Sequence, residues 1–199
     1  MNRFHRWYCR SGHWRHAVQD QILPWALRDV ELGDRVLEVG PGPGVTTDAL
    51  RRAVPSLTAL EIDDVLAASL AARFQGSNVT VEQGDATAMA FADASFTGAA
   101  CFTMLHHVPS LGLQDQLLRE VRRVLIPGGT FVGSDSRSSV VFRLAHLADT
   151  MVLVEPDSFA ERLRVAGFVD VSVDAARRAF RFRAHRPVET GSGVATRTP

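Results

Sequence analysis

The stretch Val36-Leu37-Glu38-Val39-Gly40-Pro41-Gly42-Pro43-Gly44 decides the fold, because an apolar run with one acid is followed at once by alternate glycines. Such a run is typical of a strand buried on both faces of a parallel sheet. The glycines let the backbone approach a ligand, since no Cβ atom stands in the way. Residues 45–52 read as a helix, so the stretch predicts a strand, a tight turn and a helix start, a corner of the kind that binds nucleotides.

Strands and helices alternate on both sides of this corner. Further strands are predicted over residues 57–62, 78–81, 97–104 and 130–134. Between the last two, apolar residues recur at helical spacing, namely Leu117, Leu118, Val121, Val124 and Leu125. The stretch Pro127-Gly128-Gly129 is expected to end this helix. Alternating strands and helices predict an α/β fold with a mostly parallel sheet.

The C-terminal part has a different pattern. Asp157 is expected to cap a short helix, and Gly167 stands where the helix end favours a left-handed residue. Residues 169–173 and 180–184 alternate apolar and polar side chains, as antiparallel strands with one exposed face do. Residues 187–199 lack apolar periodicity and are predicted to form a disordered tail.

Composition excludes several functions. The 199 residues suit one domain with a substantial core, and the formal net charge is zero, so no global field favours a polyanion. We interpret the basic stretches at 1–16 and 177–186 as solvated faces. The chain has no lysine, which excludes a lysine Schiff base and a Gly-Lys-Ser phosphate loop.

Cysteine content and hydropathy predict the compartment. Cys9 and Cys101 are the only cysteines, and Cys101 lies in a predicted buried strand, so a disulfide framework is not expected. The N-terminus has no apolar core run typical of a signal peptide, and no segment reaches the ~18 apolar residues of a membrane span. A cytoplasmic protein without a membrane span is predicted.

The glycine spacing distinguishes between nucleotide ligands. A dinucleotide fingerprint, Gly-x-Gly-x-x-Gly, would place its third glycine where Val45 stands. Instead, Glu38-x-Gly40-x-Gly42-x-Gly44 resembles the first motif of class I S-adenosylmethionine-dependent methyltransferases. An ordinary tight turn between a strand and a helix is the alternative reading.

Two acids after the glycine turn match further positions of this family. Glu61 ends the second predicted strand, where a carboxylate can accept both hydrogen bonds of a ribose diol, as it also does in dinucleotide enzymes. Asp85 matches the acid that receives the adenine amino group, and the next amide, that of Ala86, would reach the ring. A turn aspartate bonded to its own loop is the alternative for Asp85.

The later motifs resemble those of small-molecule methyltransferases. They are the turn Leu105-His106-His107-Val108 and a helix that runs into Leu125-Ile126-Pro127-Gly128-Gly129, with Ile126 where a lysine is usual. The resemblance covers about residues 30–135. It implies a Rossmann-like, seven-stranded, mostly parallel sheet with a C-terminal antiparallel hairpin and helices on both faces. It also implies a single domain over 1–186, with residues 1–30 as an N-terminal helical cap segment.

The resemblance implies S-adenosyl-L-methionine as the cofactor and a small-molecule acceptor, with no nucleic acid partner. The expected cofactor-binding residues are Glu38, Gly40, Pro41, Gly42, Gly44, Glu61, Ile62, Asp85, Ala86, Phe102 and Thr103. Nucleic-acid base methyltransferases usually carry an Asn/Asp-Pro-Pro-aromatic turn where this chain has Phe102-Thr103-Met104-Leu105. A nicotinamide oxidoreductase and a non-catalytic cofactor-binding protein are the alternative functions.

Candidates for acceptor chemistry come from three regions. His106 and His107 follow the fourth strand and could act as a base near neutral pH, although such a turn recurs with unlike acceptors. Side chains expected to shape an apolar or aromatic acceptor site are Trp7, Tyr8, Trp14, Arg143 and His146. A zinc site at His5, Cys9, His13 and His16 is not predicted, because Gly12 interrupts that helix and no matching ligand set follows.

Overall fold

The computed structural model describes residues 11–137 and 151–188. Seven strands form one sheet in the order β3-β2-β1-β4-β5-β7-β6. Their bounds are β1 Arg35–Val39, β2 Ser56–Glu61, β3 Val79–Gln83, β4 Phe96–Phe102, β5 Leu125–Ser136, β6 Val169–Ala175 and β7 Ala179–His185. The first five strands pair in parallel, whereas β7 runs antiparallel to both β5 and β6. This topology confirms the predicted fold class.

Helices connect the parallel strands, except β3 and β4, and precede the first strand. They are α1 Gly12–Ala17, a π-helical turn Val18–Ile22, α2 Leu23–Ala26, α3 Val45–Ala53, α4 Asp64–Arg73, a 3₁₀ turn Leu105–His107, α5 Leu111–Val124 and α6 Pro156–Val165. Side-chain caps begin three of them: Ser11 accepts from the amide of Trp14 at 3.1 Å, Asp63 from that of Leu66 at 3.0 Å, and Ser110 from that of Leu113 at 3.2 Å.

Two apolar layers cover the two faces of the sheet. Along β1, Leu37 and Val39 join the layer that contains the apolar side of α5, here called the first cluster. Val36, which precedes Leu37, joins a layer with residues of α3 and the N-terminal helices, here called the second cluster. Successive strand residues point to opposite faces, so β1 is buried on both sides as its apolar run predicts.

The strand order places a crevice at one edge of the sheet. Chain order runs outward from β1 in one direction to β2 and β3, and from β4 in the other direction to β5. In open α/β sheets, ligands bind outside the carboxyl ends of the strands at this reversal. The segments after β1 and β4 therefore flank the expected binding crevice.

Several predicted boundaries are wrong for local backbone reasons. β4 ends at Phe102 rather than Met104, because Thr103 adopts a left-handed φ of 50° that leaves the extended conformation. β5 begins at Leu125, five residues before the predicted start, because Leu125 already pairs with Phe96. The predicted helix correspondingly stops at Val124, before Pro127.

The cap predicted for the helix near residue 157 is also wrong. The N-cap of α6 is Glu155, and Pro156 takes the first helical position, where its missing N–H is not needed for the helix. Asp157 lies inside the first turn. Gly167 does adopt the left-handed conformation predicted for it, with φ of 92°.

The basic stretch near the C-terminus is only partly a solvated face. Arg181 donates to the carbonyl of Trp25 at 2.6 Å, and Arg183 donates to that of Asp29 at 3.0 Å. Arg186 donates to the carbonyl of Leu125 at 2.6 Å. These arginines connect β7 to the N-terminal segment and to the start of β5, so their interpretation as solvated was wrong.

Within the described ranges, no helix combines the length and the apolar character needed to cross a bilayer. Residues 189–199, which hold most of the predicted tail, lie outside those ranges.

Candidate functional site

The glycine turn after β1 uses left-handed backbone at each glycine, with φ of 66° at Gly40, 54° at Gly42 and 78° at Gly44. A Cβ atom at Gly40 would lie 2.2 Å from Cγ of Met104, and one at Gly44 would lie 2.4 Å from Cδ2 of Leu70. At Gly42, a Cβ atom would meet no atom within 4 Å. A Cβ atom at either outer glycine would press on a neighbouring side chain, whereas Gly42 faces open space that a ligand can enter.

Glu61, at the end of β2, is connected to the glycine turn. Its side chain is buried, and Oε2 accepts a hydrogen bond from the amide of Gly42 at 2.9 Å. Oε1 accepts from the amide of Asp63 at 3.1 Å. A carboxylate has about four acceptor positions, so these two bonds leave capacity for a ligand diol. The adjacent Ile62 side chain is 63% exposed beside this carboxylate.

Glu38 lies beneath the turn, in the middle of β1. The residue is 1% exposed, and its Oε1 accepts from the hydroxyl of Thr46 in α3. Burial raises the pKa of Glu38 to about 7, because the charged form loses its hydration, and the negative charge of Glu61 adds to this shift. Hydrogen bonds from Thr46 and Thr47 oppose the shift in part.

Asp85 organises the loop after β3. Its Oδ1 accepts from both the amide and the hydroxyl of Thr87, at 2.8 Å and 2.9 Å. This is the aspartate turn considered as the alternative reading of this residue. The geometry is compatible with a further contact of the exposed carboxylate, and the adenine role of Asp85 and Ala86 stays a prediction.

The two histidines lie in the 3₁₀ turn after β4 and differ in environment. His106 is buried, and its Nδ1 lies 2.6 Å from Oδ1 of Asp135. The backbone amide of His106 donates to Oδ2 of the same carboxylate at 3.1 Å. His107 is half-buried, and its ring centroid lies 4.2 Å from that of His106.

The sequence analysis missed Asp135. The signal was present, because an acid at the end of an apolar strand is the pattern that identified Glu61. It was overlooked because its partner, His106, lies 29 positions away in the chain.

The loop after β4 packs onto the glycine turn. The amide of Thr103 donates to the carbonyl of Ser134 at 2.8 Å, which connects the loop to β5. Met104 then fills the space next to Gly40 that a Cβ atom would occupy. These contacts place the histidine turn beside the glycine turn, across the crevice between β1 and β4.

Two arginines that the sequence analysis did not single out hold the loops around the site. Arg73, the last residue of α4, donates to the carbonyls of Pro43 and Gly44, each at 2.8 Å. Arg123 in α5 donates to the carbonyls of Phe91 and Met89, at 2.7 Å and 2.9 Å. Both contacts join segments distant in the chain, so no local pattern indicates them.

The residues predicted to shape the acceptor site are only partly described. Trp14 is partly buried and packs against the second cluster. Trp7, Tyr8, Arg143 and His146 lie outside the described residues, as do His5 and Cys9. Among residues 11–137 and 151–188, no group of three potential metal ligands comes together.

Comparison with known proteins gives a family match. The family model of a methyltransferase domain matches residues 37–133, from β1 into β5. The ubiquinone biosynthesis O-methyltransferase of Pseudomonas entomophila is 28% identical over 156 residues, which are 75% of this chain and 66% of that protein. The chain thus spans about two thirds of the length of such relatives.

Two further similarities differ in what they cover. Ribosomal RNA small subunit methyltransferase A of Acidithiobacillus ferrooxidans is 30% identical over 162 residues, 71% of this chain and 60% of that protein. Phosphoethanolamine N-methyltransferase 2 of Haemonchus contortus, solved with S-adenosyl-L-methionine, has a TM-score of 0.69 at 14% identity, over 94% of this chain and 60% of that one. The structural similarity concerns the fold.

Proposed function

Since this chain belongs to the class I S-adenosylmethionine-dependent methyltransferases, we propose that its methyl acceptor is a small molecule bound in the crevice between β1 and β4. One arrangement carries the proposal. The glycine turn, bonded to Glu61, lies on one side of the crevice, and the histidine turn lies on the other side. Such positioning of two reactants can supply ~7–11 kcal/mol of the barrier reduction.

The described residues fit the cofactor. Open space at Gly42 allows a ligand to approach the backbone, and the buried carboxylate of Glu61 can accept hydrogen bonds from the ribose hydroxyls. Exposed Ile62 offers an apolar surface for the adenine ring, and Asp85 is an acceptor for its amino group. S-adenosylmethionine, when bound, supplies an electrophilic methyl group on a sulfonium.

The remaining predicted cofactor residues have supporting roles in this proposal. Glu38 and Thr46 hold the start of α3 against β1 below the turn. Gly40, Pro41 and Gly44 shape the turn, and Phe102 and Thr103 form the opposite side of the crevice. Thr103 matters through its backbone, since its left-handed φ directs the chain back toward Gly40.

The charge of the chain favours a small molecule over a nucleic acid. The net charge is zero, and three of the C-terminal arginines donate hydrogen bonds to backbone carbonyls of the protein itself. A protein that binds a phosphate backbone usually carries an excess of positive charge, which this chain lacks. Coverage of relatives does not separate the two classes, since one named an O-methyltransferase of ubiquinone biosynthesis matches 75% of this chain and one named for ribosomal RNA matches 71%. RNA is therefore the second candidate acceptor.

Titration calorimetry and an acceptor screen test the proposal. We expect binding of S-adenosylmethionine and no binding of NAD; the opposite result would contradict the cofactor assignment. Release of S-adenosylhomocysteine is then measured with phenols, catechols, amines, thiols and ribosomal RNA. Turnover with RNA alone would replace the small-molecule proposal, and binding without product from any acceptor would favour a non-catalytic protein.

A further inference from the structure

The two halves of the sheet edge at which the parallel strands end carry opposite charge. At the ends of β2 and β3 the charged residues are all acidic, namely Glu61, Asp63, Asp64 and Asp85. After β5 and in the turn from β6 to β7, the charged residues that the structure describes are all arginines, namely Arg137, Arg177 and Arg178. The crevice between β1 and β4 separates the acidic half from the basic half.

Backbone contacts hold the three arginines together. The amide of Arg137 donates to the carbonyl of Arg178 at 2.9 Å, and Nη1 of Arg137 donates to the carbonyl of Ala176 at 3.1 Å. The amide of Ala176 donates to the carbonyl of Ala179 at 2.8 Å and closes the turn of the hairpin. The end of β5 and this turn therefore form one surface, here called the arginine tip, which consists of Arg137, Arg177 and Arg178.

The arginine tip stands above the side of the crevice that lies opposite the cofactor acids. Phe102, the last residue of β4, is in register with Ser134, and β5 continues from there to Ser136, which Arg137 follows. At ~3.3 Å per residue, Arg137 lies about 10 Å beyond the end of β4, on the neighbouring strand. β5 thus forms a wall of the crevice that ends in positive charge.

The charge of the arginine tip is not neutralised by the acids of the neighbouring elements. All three side chains are exposed, and within residues 11–137 and 151–188 none of them forms an ion pair with a carboxylate. Asp174 pairs instead with Arg181 at 2.9 Å, and Asp135 is buried and bonded to the histidine turn. Glu155 and Asp157 lie at the start of α6, which packs on the face of the hairpin opposite to Arg181.

Holding three positive charges at one turn reduces stability, because like charges repel one another, and departures of this kind concentrate at functional sites. One oxyanion would offset the repulsion, since guanidinium groups bind a carboxylate or a phosphate through paired hydrogen bonds. Arg137 uses one of its five N–H donors on Ala176, which leaves donors for a ligand. Three charges suffice for one oxyanion and fall short of the row of phosphate contacts by which proteins bind nucleic acids.

We propose that the methyl acceptor is a small molecule with one oxyanion, a carboxylate or a phosphate, which the arginine tip binds while the reacting atom lies in the crevice. This inference rests on the proposed function and specifies its class of acceptor. The acidic half of the edge suits the positively charged cofactor, and the basic half suits the negatively charged end of the acceptor. Opposite charges across the crevice would orient the two reactants toward each other.

NMR of the arginine side chains, with benzoate as the probe, tests the site without any turnover. We expect benzoate to shift the Nε–H signals of Arg137 and Arg178 in a saturable manner, and benzamide, which is neutral and of the same size, to leave them unchanged. Arg137→Gln/Arg178→Gln should weaken benzoate binding at least tenfold through the loss of charged hydrogen bonds. The matched control, Arg52→Gln/Arg119→Gln, removes two exposed arginines of α3 and α5 and should bind benzoate as the wild type does.

Phenyl phosphate in place of benzoate identifies which oxyanion binds more tightly. The inference would be overturned if neither anion shifted the two signals, if benzamide shifted them equally, or if both double variants bound the anions alike. A ribosomal RNA fragment that binds the arginine tip more tightly than either anion would also overturn it, because the ligand would then be a polyanion.

Urea unfolding without ligand separates binding from a structural role. Arg178→Gln relieves repulsion and keeps the backbone carbonyl that accepts from Arg137, so its unfolding midpoint should equal or exceed that of the wild type. Arg52→Gln serves as the control with the same chemical change. A lower midpoint for Arg178→Gln than for Arg52→Gln would show that the arginine supports the fold, and would contradict the inference.

Paired acceptors in the turnover screen distinguish this inference from the proposed function. Catechol is compared with 3,4-dihydroxybenzoate, which adds only a carboxylate, and we expect kcat/KM to be at least tenfold higher for the carboxylate. Arg137→Gln/Arg178→Gln should abolish this preference and leave the affinity for S-adenosylmethionine unchanged. Equal kcat/KM values for the pair in the wild-type protein would overturn the inference alone. Benzoate binding without S-adenosylmethionine binding, or without turnover of any acceptor, would instead contradict the proposed function.

Discussion

Glu61 receives hydrogen bonds from two turns that follow different strands, and this makes it the single side chain on which cofactor binding should depend most. Glu61→Gln replaces one acceptor oxygen by an N–H₂ donor that cannot pair with the amide of Gly42 or Asp63. Losing a charged hydrogen bond costs ~1.5–3 kcal/mol, so we expect the affinity for S-adenosylmethionine to fall about 10- to 100-fold. Calorimetry measures this directly.

The control for this variant is Glu82→Gln on the exposed side of β3. It makes the same chemical change and should leave the affinity at the wild-type value. Equal affinities of Glu61→Gln and the control would remove Glu61 from the proposed site.

Glu38 should make the stability of the protein depend on pH. Its pKa is about 7 in the folded protein, against 4.5 for an ordinary glutamate, because the buried carboxyl resists ionisation. Below pH 4.5 the carboxyl is protonated in both the folded and the unfolded state, so its ionisation does not change the free energy of unfolding. As the pH rises from 4.5 to 7, the carboxyl ionises in the unfolded state but stays protonated in the folded one, so up to about 3 kcal/mol of stability is lost, and the loss is complete above pH 7.

Glu38→Gln removes the titrating group and should remove this part of the pH dependence. Urea unfolding at pH 5 and pH 8 measures the free energy of unfolding at both ends of the range. We expect the wild-type protein to lose more stability between these values than Glu38→Gln does, whereas Glu82→Gln should behave as the wild type. The same slope in all three proteins would show that Glu38 does not titrate in this range.

At the scale of an element, substitutions in the glycine turn allow effects on stability to be distinguished from effects on ligand binding. Gly42 and Gly76 both have positive φ, 54° and 76°, and a Cβ atom at either would meet nothing within 4 Å. An alanine in the left-handed region costs ~1–2 kcal/mol, so both alanine variants should lose a similar amount of stability in urea.

Only one of these variants should affect the ligand. Gly42 lies in the turn bonded to Glu61, whereas Gly76 lies in the turn after α4. Gly42→Ala places a methyl group in the space proposed for the cofactor and should weaken binding of S-adenosylmethionine at least tenfold. Gly76→Ala should leave it unchanged; equal effects on binding would place the cofactor elsewhere.

The same element shows how far local patterns reach. The strand, the glycines and the helix of the first corner were predicted from adjacent residues, because alternation, apolar runs and glycine tolerance are local properties. The end of β4 and the start of β5 were misplaced, since both depend on pairing across strands and on the conformation of Thr103. Local preferences carry no information about such pairings.

At the scale of the whole molecule, the last strand holds the first helices in place. Arg181 donates to the carbonyl of Trp25, lies 5.6 Å from the ring of Trp25, and pairs with Asp174 at 2.9 Å. Arg181→Ala should therefore loosen α2 without unfolding the sheet. Hydrogen exchange should become faster at amides 23–30, with little change in β1 or β4.

Arg177→Ala is the matched control, because Arg177 is exposed in the turn between β6 and β7. It should leave exchange in residues 23–30 at the wild-type rate. If Arg181→Ala also leaves that rate unchanged, the contact with Trp25 does not stabilise the N-terminal helices.

The sequence by itself determined the class of fold, the order of the elements and the family, because these follow from periodicity and from motifs that are contiguous in the chain. It also indicated Glu38, the glycines, Glu61, Asp85 and the histidines as the candidate site. Only the tertiary structure decided which of these act together. The bonds of Glu61 to Gly42 and of His106 to Asp135 join residues that different strands bring to one edge of the sheet. Such contacts depend on how strands pair in space, and pairing is a property of the folded chain rather than of any local segment.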